Sequence, residues 1–579
     1  MACDSGCGYD CKKRPNDLCP YSDISGIGVL VGYTATAGIV VLILVFHYYL
    51  AHDPTKDPFH RESVVESRNS RPNPIDVVHL SSSSRALAWL RLRRHLQKAK
   101  TYPRLEAFFI KCVQSMSDLQ ILTGTSILIS GYVQLRCGIS AFHWQIIVLL
   151  AWFSSITHLS CLTFLRNHLY NRPAERVLRL VAMGLMMLML LVAMVPTGGY
   201  DWSFYGYSDA TSYLPAPSDY AICYFRPAIN DERFAFSTMV ISVLLLTLAF
   251  IHRVIRLHRP LSIIIVGRVR IVCSEKSRHI LRLVYTKLDL ETSGLTFKRI
   301  FLYRPLLALF LTVRAFLDLW NSMFIEVLWM VGSFSWGLIR LLRTLQMEDR
   351  GFSDWSFGQV VPLVLLAAPL LTIFESFYTV HQPNNTVSTA LMQFHTSYSE
   401  FDHDNSLSNT PLQARDHPDQ DFYQNSSWAH SLIHLMVAFA IGETTWILTL
   451  GSLGDYNFLR FVIPKDPTFF SSLVSYFPIY ITLCIWILIM VLILLEDIGC
   501  APGNVLRSFI GIPRKTYILG GKVFLFGSSV AGSILSWTVP EFGGIIPSSL
   551  FCLFSNAVLY CVLSAVVHLT TVRHGYAFL

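Results

Sequence analysis

The feature that most constrains this chain is a succession of long apolar runs separated by polar segments. A helix needs roughly 20 apolar residues to cross a bilayer core, where it satisfies its own backbone hydrogen bonds. Nine runs meet this requirement: Ile27–Leu50, Leu119–Leu135, Phe142–Leu165, Val177–Pro196, Phe234–Ile251, Val360–Phe377, Phe469–Leu495, Tyr517–Val539 and Ile545–Leu569. Two more, Pro305–Leu338 and Ser431–Leu453, are apolar but charged, so whether they cross stays open. The sequence therefore predicts an all-α polytopic transmembrane helix bundle of about 9 to 11 spans.

The composition agrees with a bilayer rather than with water. Hydrophobic residues make up 53% of the 579 residues and charged residues 15%, against roughly 25% charged residues in soluble domains. The net charge of +8 is the kind of balance that nucleic-acid-binding proteins show, but here the Lys and Arg residues collect in particular loops between the apolar runs. We therefore expect the lipid bilayer, and not nucleic acid, as the partner.

The basic loops predict which side each segment faces, because Lys and Arg resist translocation. Ala51–Leu105 carries eleven of them, and His252–Arg304 carries twelve against three acids. In contrast, His381–Ala429 has a single base, Arg415. With the N-terminus outside or lumenal, both basic segments face the cytosol and the acidic loop is external. We expect an integral protein of the secretory pathway or plasma membrane.

This scheme divides the chain into four parts. They are a Cys-rich external tail (1–24), a five-span bundle (25–251), a basic cytosolic or interfacial segment (252–356), and a C-terminal multi-span bundle (357–579) with its acidic external loop (381–429). Within the first span, Gly28 and Gly32 form a GxxxG pattern that permits close helix contact.

Cysteines and sequons test the scheme independently, since disulfides and N-glycans form on the oxidising side. The six cysteines of the N-terminal tail and of the first two external loops fall outside: Cys3, Cys7, Cys11, Cys19, Cys137 and Cys223. We predict disulfides rather than a metal site among them. Asn384 and Asn425 head sequons in the acidic loop and are the predicted glycosylation sites.

A basic amphipathic helix is predicted over Arg85–Lys100, starting at Ser81–Ser84, where leucines alternate with Lys and Arg. Two interpretations stay open. The helix lies on the anionic lipids of the inner leaflet, or it packs on the protein's own cytosolic face.

Charged groups inside apolar runs are costly and mark candidate sites. Arg314, Asp318 and Glu326, with Asn321 and Ser322, follow helical spacing and predict one polar stripe on a helix beginning near Pro305. The stripe either lines a polar pathway, with Arg314 and Asp318 paired at i, i+4, or lies among headgroups at the cytosolic interface.

Three further groups are candidates. Asp118 begins the second span and His158 lies in the third, so the two can meet and relay protons or bind a ligand; the alternative is a helix cap and a hydrogen-bonded core histidine. Glu443 is an isolated acid in Ser431–Leu453 and is predicted to be sensitive to protons if that segment crosses.

The segments Ser117–Gly124, His143–Trp144 and Leu150–Leu159, with the Cys-rich head, resemble a group of polytopic membrane proteins of filamentous fungi. Members of this group are largely uncharacterised, and some lie among secondary-metabolite genes. The resemblance covers mainly the first 200 residues and implies no catalytic residue.

Two functions follow from these patterns. No HExxH, Walker A or GxSxG motif is present, and no cofactor or metal is expected. The first function is a non-enzymatic transporter, channel or sensor with a small-molecule or ion ligand. The second is a membrane-embedded enzyme or accessory factor in the biosynthesis of a lipophilic fungal secondary metabolite.

Overall fold

The computed structural model describes residues 8–12, 15, 18, 21–50, 52–54, 72–89, 102–200, 202, 216–225, 234–289, 298–346, 356–367, 371, 417–418, 422–425, 427–452, 485–494, 558 and 560–561. This part is all-α, with one isolated bridge between Ser140 and Tyr220. The main helices are α1 (Ile27–Leu50), α2 (Pro74–Trp89), α3 (Tyr102–Gln134), α4 (Ala141–Phe164), α5 (Pro173–Met194), α6 (Phe234–Leu257), α7 (Val269–Lys287), α8 (Arg304–Trp320), α9 (Met323–Leu345), α10 (Phe357–Leu365) and α11 (Ser427–Ser452).

Six helical segments in the described part are long and apolar enough to cross a membrane. They are Ser22–Leu50, Ala141–Phe164, Pro173–Gly199, Thr238–Leu257, Arg299–Trp320 and Met323–Leu345. The first four confirm apolar runs that the sequence predicts as spans. The count of 9 to 11 spans is not confirmed. Tyr517–Val539 lies outside the described residues, as does Ile545–Leu569 apart from three positions.

The predicted second span, Leu119–Leu135, lies inside α3 and does not belong to this group of six. Its polar residues lower its hydropathy, and they are satisfied locally. Thr123 and Thr125 donate to the carbonyls of Leu119 and Ile121, one turn back, at 3.0 and 2.7 Å. A helix that carries its own hydrogen-bond partners in this way tolerates an apolar surrounding.

The bundle is built around α4, which is buried over its whole length. Ser140 caps the start of α4 by accepting from the His143 amide at 3.3 Å. Helices α1, α3, α5, α6 and α9 all pack against α4. Because α4 has no face toward lipid or water in this part of the chain, its neighbours determine what each of its side chains meets.

The bundle has two chemically different ends. At the disulfide end, Cys11 and Cys223 are joined across 212 residues of sequence, and Cys137 is disulfide-bonded as well. This supports the prediction that these cysteines share one side; Cys3, Cys7 and Cys19 lie outside the described residues. At the basic end, α1, α4 and α6 terminate and α5 and α9 begin.

The predicted stretch Pro305–Leu338 is two helices rather than one. The α8 helix ends at Trp320, and Ser322 caps α9 by accepting from the Ile325 amide at 3.2 Å. The two helices then separate. Buried residues of α8 such as Leu307 and Leu311 pack in a second apolar cluster with α7 and the start of α11, and not in the main bundle.

Helix α2 begins earlier than predicted, at Pro74 rather than at Ser81–Ser84. Asn73 accepts from the Ile75 amide at 3.0 Å, and proline at the first helical position needs no N–H partner. Arg85–Trp89 continues this helix, and the rest of the predicted basic helix lies outside the described residues.

The basic segment and the end of the acidic loop are in contact, and the side of the membrane that each faces stays a prediction. His252–Arg304 and His381–Ala429 were expected on opposite faces, yet Arg278 donates to the Pro418 carbonyl at 3.3 Å. The His417 ring also packs on Tyr285 of α7, with ring centroids 5.6 Å apart. The helical turn Phe422–Asn425, which holds the Asn425 sequon, therefore lies with the basic segment. Asn384 lies outside the described residues.

The GxxxG face of α1 receives α10, as its close-contact pattern predicts. A Cβ atom on Gly28 would stand 2.3 Å from the Gln359 carbonyl oxygen, and one on Gly32 would stand 2.5 Å from Pro362 Cβ. The Gly28 contact is with backbone, which cannot rotate away.

We expect Gly28→Ala to destabilise the protein by about 1–3 kcal/mol because the added methyl overpacks this contact. The measurement is the thermal unfolding midpoint in detergent. Gly442→Ala in α11 is the matched control, since a Cβ atom there meets open space. A Gly28→Ala midpoint at or above that of the control would contradict the close approach.

Candidate functional site

The structure places Asp118 and His158 near each other but does not pair them. Asp118, at 54% side-chain exposure, binds Arg179 of α5 through contacts of 2.6 and 2.9 Å. His158 is fully buried, and its Nδ1 shares a hydrogen bond of 2.8 Å with Ser117 Oγ. Each group has its own partner, which matches a surface ion pair and a core histidine rather than a proton relay.

The predicted polar stripe is divided by the turn between α8 and α9. Arg314 and Asp318 share one face of α8, 3.8 Å apart, but Asp318 has a closer partner in Arg270 of α7 at 2.6 Å. Tyr423 lies 4.8 Å from the Arg314 guanidinium, so that Arg314 stacks on its ring. Glu326 belongs to α9 and pairs instead with Arg256 of α6.

Glu443 lies in α11, whose backbone is one continuous helix. The Glu443 side chain is outside the described residues. The next residue, Thr444, approaches Gly332 of α9, with 3.0 Å between its Cγ2 and a Cβ built on that glycine. Helix α11 therefore packs along α9, and the role of Glu443 stays a prediction.

The densest polar arrangement of the described chain lies at the basic end, where α8 turns into α9. We call Asn73, Asp76, Arg256, Asn321 and Glu326 the polar junction. Asp76, only 3% exposed, accepts from the backbone amides of Met323 and Phe324 at 2.8 and 3.1 Å. A carboxylate there offsets the positive end of the helix dipole and satisfies orphan N–H groups.

The other side of the same turn is held from α2 and α6. Asn73 donates from Nδ2 to the Asp318 carbonyl at 2.7 Å, at the end of α8. Arg256 donates to the Asn321 carbonyl and forms an ion pair with the Glu326 carboxylate. Tyr48 of α1 donates its hydroxyl to Asp76 Oδ1 at 3.1 Å. Helices α1, α2 and α6 thus meet at the two-residue turn between α8 and α9.

Sequence reasoning missed Asn73, Asp76 and Arg256. The signal for the first two is present in Asn73-Pro74-Ile75-Asp76, an N-cap residue, a first-turn proline and a first-turn acid. Their long-range partners carry no local signal, since Asp76 and Met323 are 247 residues apart. Arg256 was counted among the basic loop residues, whereas α6 extends to Leu257 and includes it.

Burial determines the protonation of the groups around the junction that lie outside the spans. It raises the pKa of Asp76, while the two backbone amides, Arg256 and Tyr48 oppose that rise. Burial also lowers the pKa of His79. It lowers the pKa of His52 to about 4, an effect that Asp53 opposes and that Arg256 and Arg166 reinforce. The histidines beside the junction are therefore neutral at pH 7.

Comparisons with known proteins supply no further constraint. No family model, no curated protein and no solved structure matches this chain. Within the described residues, no group of three or more His, Cys, Asp or Glu side chains is placed to hold a metal ion. The site is therefore defined by its own geometry.

We expect the stability of the protein to fall as pH falls from about 6.5 toward about 4. Because the folded pKa of His52 lies below its unfolded value of about 6.5, the unfolded chain binds the proton first. His52→Gln removes this contribution and flattens the dependence. Unfolding midpoints measured across this pH range test it, with exposed His279→Gln as control. Identical slopes for His52→Gln and wild type would contradict the assignment.

Proposed function

We propose that this protein is a non-enzymatic multipass membrane sensor in which the polar junction transmits movement of α2 to α9. One observation carries the proposal: the Asp76 carboxylate, from a helix outside the six apolar segments, caps the first turn of an apolar helix of membrane-spanning length. Removal of α2 would leave α9 with unsatisfied N–H groups in a buried place, which is unfavourable.

A second contact of α2 connects it to α11. Ser82 Oγ shares a hydrogen bond of 2.8 Å with His434 Nε2 of α11. Helix α2 thus contacts the α8–α9 turn at its start and α11 at its middle. Coupling between sites is carried by packed and hydrogen-bonded elements of this kind when they have two arrangements.

A transporter or channel is the second candidate. Arg253, Glu326 and Arg340 place charged side chains inside apolar helices, each no more than 7% exposed, and such groups often line ion or proton pathways. The enzymatic alternative receives less support, because Asp118 and His158, which motivated it, are bonded to Arg179 and Ser117 respectively.

Hydrogen exchange of the protein in lipid nanodiscs tests the sensor. Asp76→Asn removes the charge at the start of α9, so we expect exchange in the first turn of α9 to rise roughly 5–30-fold. Asp23→Asn is the matched control, since exposed Asp23 accepts a hydrogen bond from Ser356 at the opposite end of α1. Its effect should stay local to that end.

A double-mutant cycle then separates coupling from simple capping. Ser82→Ala should raise exchange at the start of α9 in the wild-type background and have no added effect in Asp76→Asn. If Ser82→Ala leaves α9 unchanged in both backgrounds, Asp76 is a structural cap and the sensor proposal fails.

The proposed orientation has its own test. With the N-terminus outside, a tag there should be labelled on intact cells. A tag within residues 51–71 should be labelled only after permeabilisation. A tag at Gln346, at the disulfide end, should be labelled without permeabilisation. Because the Phe422–Asn425 turn contacts the basic segment, we expect no glycan on Asn425, and a glycan on Asn384 stays a prediction. Glycosidase-sensitive modification of Asn425 would reverse the orientation of the basic end.

A further inference from the structure

A small cleft between α6 and α9 contains a charge that the polar junction does not use. It lies at the basic end and is lined by His252, Arg253, Trp320, Ile325, Glu326 and Trp329, with a cavity volume of about 20 Å³ and an open mouth. We call it the α6–α9 cleft. Glu326 lies in both the cleft and the polar junction.

Arg253 is the charge without a counterion. The residue is 4% exposed; its Nε donates to Thr163 Oγ1 at 3.1 Å, and its Nη1 donates to the Ala249 carbonyl at 3.4 Å. Within the described part of the chain, its Nη2 has no hydrogen-bond partner. Glu326, the nearest acid on the cleft wall, is already paired with Arg256. A buried guanidinium with an unpaired N–H group destabilises the folded protein unless an anion accepts a hydrogen bond from it.

A histidine lies beside it. His252 hydrogen-bonds to the Trp320 backbone, and its ring stands edge-on to the Trp320 ring at 5.5 Å. The free N–H group on this cleft wall is therefore the one on Arg253 Nη2. A buried guanidinium N–H suits the oxygens of a phosphate group.

The surroundings of the cleft point to a lipid. Trp320 is 47% exposed and stacks edge-on with Trp329 at 6.2 Å, and tryptophans of this kind settle at the headgroup level. On the adjoining face of α6, Leu248 and Ile251 are 42% and 48% exposed, as expected of side chains that meet acyl chains.

We propose that the α6–α9 cleft binds the phosphate of an anionic phospholipid from the leaflet at the basic end. Arg253 Nη2 donates to a phosphate oxygen, Trp320 covers the headgroup, and the acyl chains follow Leu248 and Ile251. The proposal depends on membrane insertion and not on the sensor function, so either can fail alone.

Native mass spectrometry of protein released from nanodiscs tests this site. The nanodiscs contain phosphatidylcholine alone or mixed with phosphatidylserine. Wild type should retain phosphatidylserine, and Arg253→Gln should retain roughly tenfold less, as expected for the loss of a charge-assisted contact. Arg259→Gln is the matched control, because Arg259 is exposed and, among the described residues, donates to the Tyr170 hydroxyl at 3.3 Å. It should retain lipid as wild type does.

Two further arms make each outcome decisive. If Arg253→Gln does not fold, Arg253→Lys keeps the charge but loses the planar fork, and it should still retain severalfold less lipid than wild type.

Delipidated wild type is also titrated with inorganic phosphate, which should not raise its unfolding midpoint. Stabilisation by inorganic phosphate that Arg253→Gln abolishes would identify a small-anion site and overturn the lipid. Equal retention by wild type and a folded Arg253 variant, or none by either, would leave only water in the cleft and overturn the proposal.

Discussion

Helix α4 is enclosed by other helices, so its polar groups can find hydrogen-bond partners only within the bundle. Ser154 donates to Gln120 of α3 at 2.7 Å, Trp152 donates to the Ser333 carbonyl of α9 at 3.0 Å, and Trp144 donates to the Ala193 carbonyl of α5 at 2.9 Å. Inside a low-dielectric core such bonds are costly to lose. They fix the rotation of α4 against three neighbours at once, and this fixes where α9 begins at the basic end.

The start of α9 depends on hydrogen-bond partners from other helices. Two helices that meet at a tight turn leave free carbonyls on one side and free amides on the other, and an apolar surrounding offers no water to satisfy them. Here Asn73 donates to the Asp318 carbonyl, and Asp76 accepts from the amides of Met323 and Phe324. Arg256 forms an ion pair with Glu326. Because these groups come from α2 and α6, the turn cannot keep its geometry if either helix moves. Coupling between elements is therefore a consequence of satisfying the backbone.

The sequence predicts the parts of this fold that depend on one segment alone. Hydropathy finds α1, α4, α5 and α6 because a long apolar run has few alternatives, and the glycine spacing of α1 predicts the close contact with α10. The break at Asn321–Ser322 was missed because both flanking segments are apolar and amphipathic with one continuous stripe. Asp76 was missed because its partners lie in a distant segment. The contact between Tyr423 and Arg314 was missed because loop composition carries no signal for contacts between distant segments.

Glu326 connects the two sites at the basic end. Its carboxylate neutralises Arg256 in the polar junction, and Glu326 also forms part of the wall of the α6–α9 cleft. Arg253 and Arg256 lie one helical turn apart on α6. Because the one acid between them is paired with Arg256, Arg253 leaves an excess positive charge beside the turn. An anion bound at Arg253 would offset that charge. Occupancy of the cleft and the geometry of the α8–α9 turn would then be linked through the surroundings of a single carboxylate.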